Sequence, residues 1–296
     1  MRILVMDVGG TAIKSAIIDD TGKLSDVRTT SSDKNVEVRM EKVIHIAGEY
    51  SDFDVLSASM RGQIDDKAKT MLFRYNKAAG EDAQAYPAGE ILGKALGRPA
   101  FILNDANAAA LGEAHLGAGR AHKDFLCLTY GTGVGGAIIQ NGRLLTGTRG
   151  IAGEMGHMVT HKGGRLCGCG HRGCYEQYAS TTALLDSARK FRPELENAKE
   201  IFNEAENDLR LRRVITAWED EITEGLLTLT YIFNPCAIIL GGGVMQEEVL
   251  LADIKKRFFK RVIPTFSDVD ILAAELGNKA GIMGAAIYAK QRLNEI

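Results

Sequence analysis

The sequence lacks long apolar runs and an excess of one charge. No stretch approaches the roughly 20 consecutive apolar residues that a membrane-spanning helix needs, and Asp7 interrupts the apolar start before a signal-peptide core can form. The 36 Lys and Arg residues are balanced by 38 Asp and Glu residues. This balance gives no electrostatic argument for a nucleic-acid or anionic-membrane partner. We therefore expect a cytoplasmic protein whose partner is a small molecule.

The sequence also lacks the motif G-x-x-x-x-G-K-[ST], which excludes a P-loop. Residues 131–136 do fit G-x-G-x-x-G, but the dinucleotide fingerprint needs a helix after its last glycine. Here the residues after Gly136 read as a strand that runs into an Asn141-Gly142 hairpin turn. We therefore do not interpret this match as a dinucleotide site.

A unit of strand, glycine turn, strand, hairpin and strand occurs twice. The first copy spans about 2–29 with Gly9-Gly10-Thr11 as its glycine turn, and the second spans about 125–146 with Gly131-Thr132-Gly133 in the equivalent place. The 296 residues suffice for two domains of about 150 each. The repeat predicts a duplicated α/β domain whose two glycine turns face each other across a cleft. Further patterns predict helices at 36–47, 88–96, 105–116, 208–233, 247–262 and 282–293, and strands at 53–59, 100–103 and 237–240.

Three glycine turns each follow a predicted strand: Gly9-Gly10, Gly131-Thr132-Gly133 and Gly241-Gly242-Gly243. Glycine lets backbone N–H groups approach phosphate oxygens without a side chain in the way. One such turn is equally well a simple tight turn, but three together predict a bound nucleotide. Asp7, beside the first turn, would hold Mg²⁺ directly or through water, or would only cap the turn.

Asn104 and Asp105 lie where a predicted strand ends and a helix begins. Asp is a favoured helix N-cap, so Asp105 could serve only that purpose. A carboxylate at a strand end is also placed to accept a hydroxyl proton during phosphoryl transfer, and this is the role we favour. Four more residues would complete a polar pocket suited to a polyol: Gly62, Glu154, His157 and Glu176.

The densest set of metal-capable residues lies within 153–176. Its members suit a Cys₃His structural zinc site: His157, Cys167, Cys169 and Cys174. His161 and His171 remain alternatives for the fourth ligand, although His171 would need a very small loop around the ion. A disulfide is less favoured, because the total of five cysteines is odd and we expect no oxidising compartment. If 154–157 is helical, Glu154 and His157 share a face, which would join the metal site to the pocket.

These motifs, taken in chain order, resemble those of the ROK family of sugar kinases and sugar-responsive repressors. The resemblance covers the whole chain and rests on 7–11, 104–105, 131–136, 153–157, 167–176 and 241–243. It implies the actin-like ATPase fold, an α/β architecture in which two ribonuclease-H-like domains enclose an interdomain active-site cleft. We expect an N-terminal domain at 1–117, completed by a C-terminal helix at 282–296, and a C-terminal domain at 118–281 with a zinc-binding insertion at 157–174.

The resemblance also implies a role for each matching residue. Asp105 is similar to the family's general base on the sugar C6 hydroxyl, and Asn104 to a neighbouring sugar ligand. Similar to the other hexose contacts are Gly62, Glu154, His157 and Glu176. Similar to the zinc ligands are His157, Cys167, Cys169 and Cys174. The first phosphate turn corresponds to Asp7, Gly9, Gly10 and Thr11 with Lys14, the second to Gly131, Thr132 and Gly133, and the adenosine turn to Gly241, Gly242 and Gly243.

Two departures from the family pattern fall on the part that reads sugar substituents. Arg61 stands before Gly62, where the family often has a small residue or proline, and Phe73-Arg74-Tyr75-Asn76-Lys77 replaces its Asn-Leu-x-x-Trp segment. These departures leave the identity of the sugar open.

The resemblance implies a hexose kinase that uses ATP and Mg²⁺, contains structural Zn²⁺, and forms a homodimer or tetramer. Its expected acceptor is O6 of glucose or of an N-acetylhexosamine such as N-acetylmannosamine, with fructose or a β-glucoside as alternatives. A non-catalytic sugar-sensing regulator is the rival interpretation. It is weaker, because only six residues precede Asp7 and a DNA-binding helix-turn-helix would need more.

Overall fold

The computed structural model describes residues 1–72 and 84–294, so segment 73–77 lies outside the described residues. The chain divides into two compact units: unit 1 is Met1–Gly117, Leu144–Ala152 and Asn278–Ile296, and unit 2 is Ala118–Arg143 and Gly153–Gly277. The return of Leu144–Ala152 to unit 1 was not anticipated from the sequence. A close backbone approach explains why this segment belongs to unit 1. A Cβ on Gly150, which has a φ of 77°, would lie 2.6 Å from Asp66 Oδ1 and 3.0 Å from the Ile64 carbonyl oxygen.

The main sheet of unit 1 has five strands. They are β1 (Ile3–Val8), β2 (Ala12–Ile18), β3 (Leu24–Ser31), β4 (Val55–Met60) and β8 (Ala100–Asn104), in the spatial order β3-β2-β1-β4-β8. The strands β1, β4 and β8 are parallel, and their register aligns Val8 with Met60 and Met60 with Asn104. Their carboxyl ends therefore lie at one edge of the sheet. A smaller sheet contains β5 (Gln63–Asp65), β6 (Thr70–Leu72) and β7 (Ala85–Tyr86).

The helices described in unit 1 are α1 (Val36–Gly48), α2 (Ala88–Leu96), α3 (Asp105–Leu116) and α9 (Ala280–Leu293). The apolar faces of α1 and α2 bury Met40, Val43 and Leu92 with β1 and β4 in one core. Helix α9 packs closely against α3, because a Cβ on Gly284 would overlap the carbonyl oxygen of Ala108. Small residues at this crossing let the two backbones approach.

The main sheet of unit 2 repeats the arrangement of unit 1. Its strands are β9 (Phe125–Tyr130), β10 (Val134–Gln140), β11 (Arg143–Leu144), β12 (Ala237–Gly241) and β13 (Asp270–Ala273), in the order β11-β10-β9-β12-β13. As in unit 1, the first strand pairs antiparallel with the second and parallel with the fourth. The duplicated sheet predicted from the glycine turns is confirmed.

The helices described in unit 2 are α4 (Glu176–Ala179), α5 (Thr181–Arg189), α6 (Ala198–Ala205), α7 (Leu209–Phe233) and α8 (Glu248–Arg261). The buried Trp218 of α7 donates its indole N–H to the carbonyl oxygens of Ala179 and Ser180, at 2.9 and 3.0 Å, which fixes the junction of α4 and α5. Among the described residues, no helix combines the length and the apolar character that crossing a membrane requires.

Candidate functional site

The carboxylate of Asp7 lies at the edge where the parallel strands of unit 1 end. Ser59 donates its hydroxyl hydrogen to Asp7 Oδ1 at 2.8 Å, and the strand register places Lys14 directly opposite Asp7. A Cβ on Gly281 would lie 3.2 Å from the same Oδ1 and 3.3 Å from Ser59 Oγ. The first turn of α9 therefore packs against this pair, and glycine provides the space. Sequence reasoning missed Ser59 and Gly281.

The first glycine turn joins β1 to β2. Gly9 donates its N–H to the carbonyl oxygen of Ala12 at 2.9 Å, and a Cβ on Gly9 would lie 3.0 Å from that oxygen. Gly10 and Thr11 follow on the exposed side of the turn. This leaves exposed backbone beside Asp7, as an anion-binding turn requires.

Asn104 is the N-cap of α3, so Asp105 is not. Asn104 Oδ1 accepts the N–H of Asn107 at 3.0 Å, while its Nδ2 donates to the carbonyl oxygen of Gly62 at 2.9 Å. Gly62 has a φ of 114°, a conformation that favours glycine. Asp105 is the first helical residue, and its Oδ1 accepts the N–H of Ala106 at 2.9 Å. The capping alternative for Asp105 is therefore wrong, and its second carboxylate oxygen remains for another task.

The electrostatic surroundings of Asp105 favour proton uptake. Burial raises the pKa of Asp105 to about 6, and the negative charge of Asp7 acts in the same direction. The Ala106 N–H and the positive charge of Arg61 oppose the rise in this pKa. A carboxylate with a pKa just below neutrality is ionised at pH 7 and still a useful proton acceptor, which suits a general base.

The second and third glycine turns meet at one edge of the unit 2 sheet. In the second turn, Gly131 donates its N–H to the carbonyl oxygen of Gly133 at 3.0 Å. In the third, Gly242 has a φ of 108°, and a Cβ on it would overlap the carbonyl oxygen of Tyr130. The backbones of the two turns are therefore in direct contact, which only a glycine allows at position 242. Exposed positions in these turns are Gly131, Thr132 and Gly243.

Glu176 lies between the second glycine turn and the cysteine segment. A Cβ on Gly133 would lie 2.5 Å from Glu176 Oε2, so the carboxylate occupies the space that a side chain would take. Its other oxygen, Oε1, accepts a hydrogen bond from Cys167 Sγ at 3.0 Å and lies 3.8 Å from His157 Nδ1. The Glu176 carboxylate therefore contacts both the second glycine turn and the cysteine segment.

The four predicted metal ligands form one cluster. They are His157, Cys167, Cys169 and Cys174, and their ligand atoms all lie within 4.8 Å of one another. Cys169 Sγ is 3.5 Å from Cys174 Sγ, and Cys167 Sγ is 3.7 Å from His157 Nδ1. Tetrahedral zinc with ordinary bond lengths would place two sulfurs about 3.8 Å apart, and a sulfur and a nitrogen about 3.6 Å apart. The cluster fits zinc, and all five cysteines of the chain are unbonded to one another.

The ring of His157 is held so that its two nitrogens have different neighbours. His157 ends a 3₁₀ turn, Met155–His157, which Glu154 precedes, and residues three apart eclipse one another in such a turn. Its Nδ1 lies on the side of Cys167, and its Nε2 lies 3.7 Å from Glu154 Oε2. The turn packs closely on β10, since a Cβ on Gly156 would overlap the carbonyl oxygen of Val134.

The two alternative histidines lie outside the cluster of four. His161 pairs with Glu221, its Nε2 lying 3.4 Å from Oε1, and stacks on Tyr178 with 3.9 Å between ring centroids. His171 is exposed, and its carbonyl oxygen accepts the N–H of Cys167 at 2.8 Å. Burial raises the pKa of the Cys167 and Cys174 thiols.

A separate cavity of about 990 Å³ lies between α6, α7 and α8 in unit 2, and none of the predicted site residues lines it. Its wall includes the buried Glu219, whose Oε2 accepts a hydrogen bond from Arg257 Nε at 3.1 Å and lies 3.0 Å from Arg257 Nη2. Burial raises the pKa of Glu219 to about 7, against the opposing charge of Arg257. This pair is a structural element distinct from the glycine turns.

Two α/β sheets of one topology, each with at least one glycine turn at its carboxyl edge, characterise the actin-like ATPase fold, and this chain has that fold. The sequence profile of the ROK family matches residues 3–292, so the chain belongs to the ROK family.

Named relatives and a solved structure cover nearly the full chain. The glucokinase of Thermotoga maritima is 31% identical over 99% of this chain and 98% of its own length. The N-acetylmannosamine kinase of Haemophilus influenzae is 30% identical over 99% of this chain and 97% of its own. The crystal structure of a ROK family glucokinase from Streptomyces griseus in complex with glucose and AMPPNP has a TM-score of 0.85 at 34% identity, covering 98% of this chain and 100% of the other.

Proposed function

We propose that this protein is an ATP-dependent hexose kinase that phosphorylates the C6 hydroxyl of glucose or of an N-acetylhexosamine such as N-acetylmannosamine. The observation that carries the proposal is the state of Asp105. Asn104, and not Asp105, caps the helix, and burial raises the pKa of Asp105 to about 6. Asp105 also lies at the same sheet edge as Asp7 and the first glycine turn. Similarity to sugar kinases along the whole chain supports the same activity.

In this mechanism Asp105 acts as general base. As the sugar hydroxyl oxygen bonds to the γ-phosphorus of ATP, the bond from that phosphorus to the β,γ-bridging oxygen breaks, ADP leaves, and the hydroxyl proton passes to the Asp105 carboxylate. The hydrogen bond from Ala106 N–H fixes one carboxylate oxygen and leaves the other for the hydroxyl. Asn104 and Gly62, joined by their own hydrogen bond, would hold the sugar beside the base. The remaining sugar contacts would be Glu154, His157 and Glu176.

The glycine turns would hold ATP. The first turn would bind phosphate oxygens through backbone N–H groups, helped by Lys14 opposite Asp7. The second turn, Gly131, Thr132 and Gly133, would bind phosphate as well. The third turn, Gly241, Gly242 and Gly243, would adjoin the adenosine. Asp7 would hold Mg²⁺, directly or through water, and this ion supplies positive charge against the phosphates when bound.

The cluster of His157 and three cysteines would hold a structural Zn²⁺. If Nδ1 binds the metal, the tautomer of His157 would be fixed with the proton on Nε2, which faces Glu154 and could donate to it or to a sugar hydroxyl. The metal would thus orient His157 for the sugar and also hold the segment 157–174 together.

Three further points belong to the same proposal. The two units would be the two ribonuclease-H-like domains, and the zinc-binding insertion would belong to the second. Fructose or a β-glucoside remains an alternative acceptor, because Arg61 and segment 73–77 depart from the family pattern. A homodimer or tetramer in the cytoplasm is the expected form, and light scattering of the purified protein measures the assembly.

The test is a panel of hexoses with wild type and Asp105→Asn, with phosphorylation followed by ADP formation. The wild type should phosphorylate at least one hexose, and Asp105→Asn should bind that sugar but lose about 10²–10⁴-fold in turnover. The exposed Asp268, changed to Asn, is the matched control and should retain turnover. Unchanged activity in Asp105→Asn would reject the assignment of the base.

A further inference from the structure

Arg61 departs from the family pattern, and its side chain lies at the first phosphate turn. It follows β4 directly, at the sheet edge that also carries Asp7 and Asp105. A Cβ placed on Gly10 would lie 3.7 Å from Arg61 Nη1, which is ordinary van der Waals contact. The guanidinium therefore lies over the exposed part of the Gly9-Gly10 turn.

The backbone that carries Arg61 is held in place. The next residue, Gly62, has a φ of 114°, and its carbonyl oxygen accepts the side-chain N–H of Asn104 at 2.9 Å. Asn104 is in turn fixed by its bond to the N–H of Asn107. The Asn104 side chain therefore ties the backbone next to Arg61 to the first turn of α3.

The guanidinium is uncommitted within the part of the chain that the structure describes. Arg61 forms no hydrogen bond or ion pair with any of these residues. Its positive charge nevertheless lowers the pKa of Asp105. The neighbouring Arg39 differs, because its side chain donates to the carbonyl oxygens of Asp33 and Lys34. Among the described residues, the donors of Arg61 are therefore available to a ligand at this turn, on the Gly10 side, while Lys14 lies opposite Asp7 on the neighbouring strand.

We propose that Arg61 binds the γ-phosphoryl group of ATP over the Gly9-Gly10 turn and stabilises the charge on that group during its transfer. The proposal rests on the kinase function proposed above and assigns a further catalytic residue to it. Guanidinium is suited to the task, because its planar array of five N–H donors matches phosphate oxygens. In phosphoryl transfer the negative charge spreads over the oxygens of the moving group, where an arginine contributes most.

The same cation has a second effect, on the base. Burial and the charge of Asp7 both raise the pKa of Asp105, and Arg61 opposes them. Arg61 would therefore stabilise the transferred group on one side and keep the proton acceptor ionised on the other. The competing interpretation, that Arg61 reads a substituent of the sugar through its position next to Gly62, makes different kinetic predictions.

The experiment compares wild type, Arg61→Ala and Arg61→Lys. It measures kcat, the KM of the sugar found in the hexose panel, and the dissociation constants of ATP and ADP without sugar. We expect Arg61→Ala to lose at least about 100-fold in kcat, with a sugar KM within about threefold of wild type. ATP should bind more weakly and ADP as before, since only ATP carries the γ-phosphoryl group. Arg61→Lys should recover part of the loss, because it keeps a charge but not the planar array.

The exposed Arg120, which pairs with Glu275 on unit 2, provides the matched control, and Arg120→Ala should change none of these values. A sugar KM that rises while the ratio of ATP to ADP affinity stays constant would overturn the proposal in favour of sugar reading. Unchanged kcat in Arg61→Ala would also overturn it while leaving the kinase function intact. If wild type phosphorylates no hexose, the kinase function fails, and the ATP and ADP titrations still decide whether Arg61 contacts the γ-phosphoryl group.

Discussion

The rate of sugar phosphorylation should fall as the pH drops through about 6, because Asp105, as the proposed general base, must be ionised to accept a proton. Burial, followed by the charge of Asp7, raises its pKa to about 6 from an ordinary value of 3.8. With a pKa of about 6, about nine in ten Asp105 side chains are ionised at pH 7 and about one in ten at pH 5, so kcat/KM falls about tenfold. A carboxyl group at its ordinary pKa would lose less than about a tenth of its rate over the same range.

The same pKa predicts an effect on stability. Because the folded-state pKa of Asp105 lies above its unfolded value, the folded state favours the protonated form. This contribution is fully present below the unfolded pKa and is lost as the pH rises through about 6. Asp105→Asn, which stays neutral, should therefore be more stable than wild type at pH 7.5, by at most about 3 kcal/mol. The difference should shrink to about 0.5 kcal/mol near pH 4, close to the unfolded pKa of 3.8.

The assay for the rate measures kcat/KM for the sugar from pH 5 to 8 at constant ionic strength, with saturating ATP and excess Mg²⁺. Product is quantified directly by chromatography, so that no coupling enzyme contributes its own pH dependence. Denaturant unfolding of wild type and Asp105→Asn at pH 4 and 7.5 measures the stability difference. A rate that stays flat between pH 5 and 7, or an Asn variant with no gain in stability at pH 7.5, would refute the reasoning.

Two other substitutions test the metal cluster and the buried ion pair of unit 2. Cys169→Ser should lose zinc and then sugar affinity, as measured by metal analysis and sugar titration, whereas the exposed Cys236→Ser should lose neither; zinc at full occupancy in Cys169→Ser would contradict the site. Arg257→Met should destabilise the fold at pH 8 by about 1.4 kcal/mol more than at pH 5.5, because the buried Glu219, ionised at pH 8 beside Arg257, must take up a proton or stay charged without its partner. The loss should be smaller at pH 5.5, below the Glu219 pKa of about 7, and equal losses in urea unfolding at the two pH values would contradict this account.

The architecture could be predicted from the sequence where local pattern decides it. The duplicated strands, their glycine turns and the long helices are visible as periodicity and turn residues, and the structure confirms them. Helix α6 was missed although Asn197 caps it, because its buried face contains only Ala198, Ile201 and Ala205, too few residues to show a helical period. Strand β13 was missed because its four residues carry no turn signal of the kind that marks the other strands.

The candidate site could be predicted only for residues whose local sequence context indicates a role. Asp7 and Asp105 stand at the ends of apolar strands, and that placement is readable. Ser59 and Gly281 are not, because their importance depends on contacts with Asp7 across 52 and more than 200 residues of chain. The sequence pattern predicts the last helix at 282–293, whereas α9 begins at Ala280, so that Gly281 lies inside its first turn, where a larger side chain would press on Asp7.

Glu176 connects the proposed metal cluster to the second glycine turn, which we propose binds phosphate. One of its oxygens accepts a hydrogen bond from Cys167, a member of the cluster, and the other fills the space beside Gly133 in the second glycine turn. His157 extends the connection, with one ring nitrogen in the cluster and the other facing Glu154. Loss of the metal should therefore appear as weaker sugar binding and not only as a less stable loop. A variant that lost zinc but kept full sugar affinity would mean that packing alone orients these side chains.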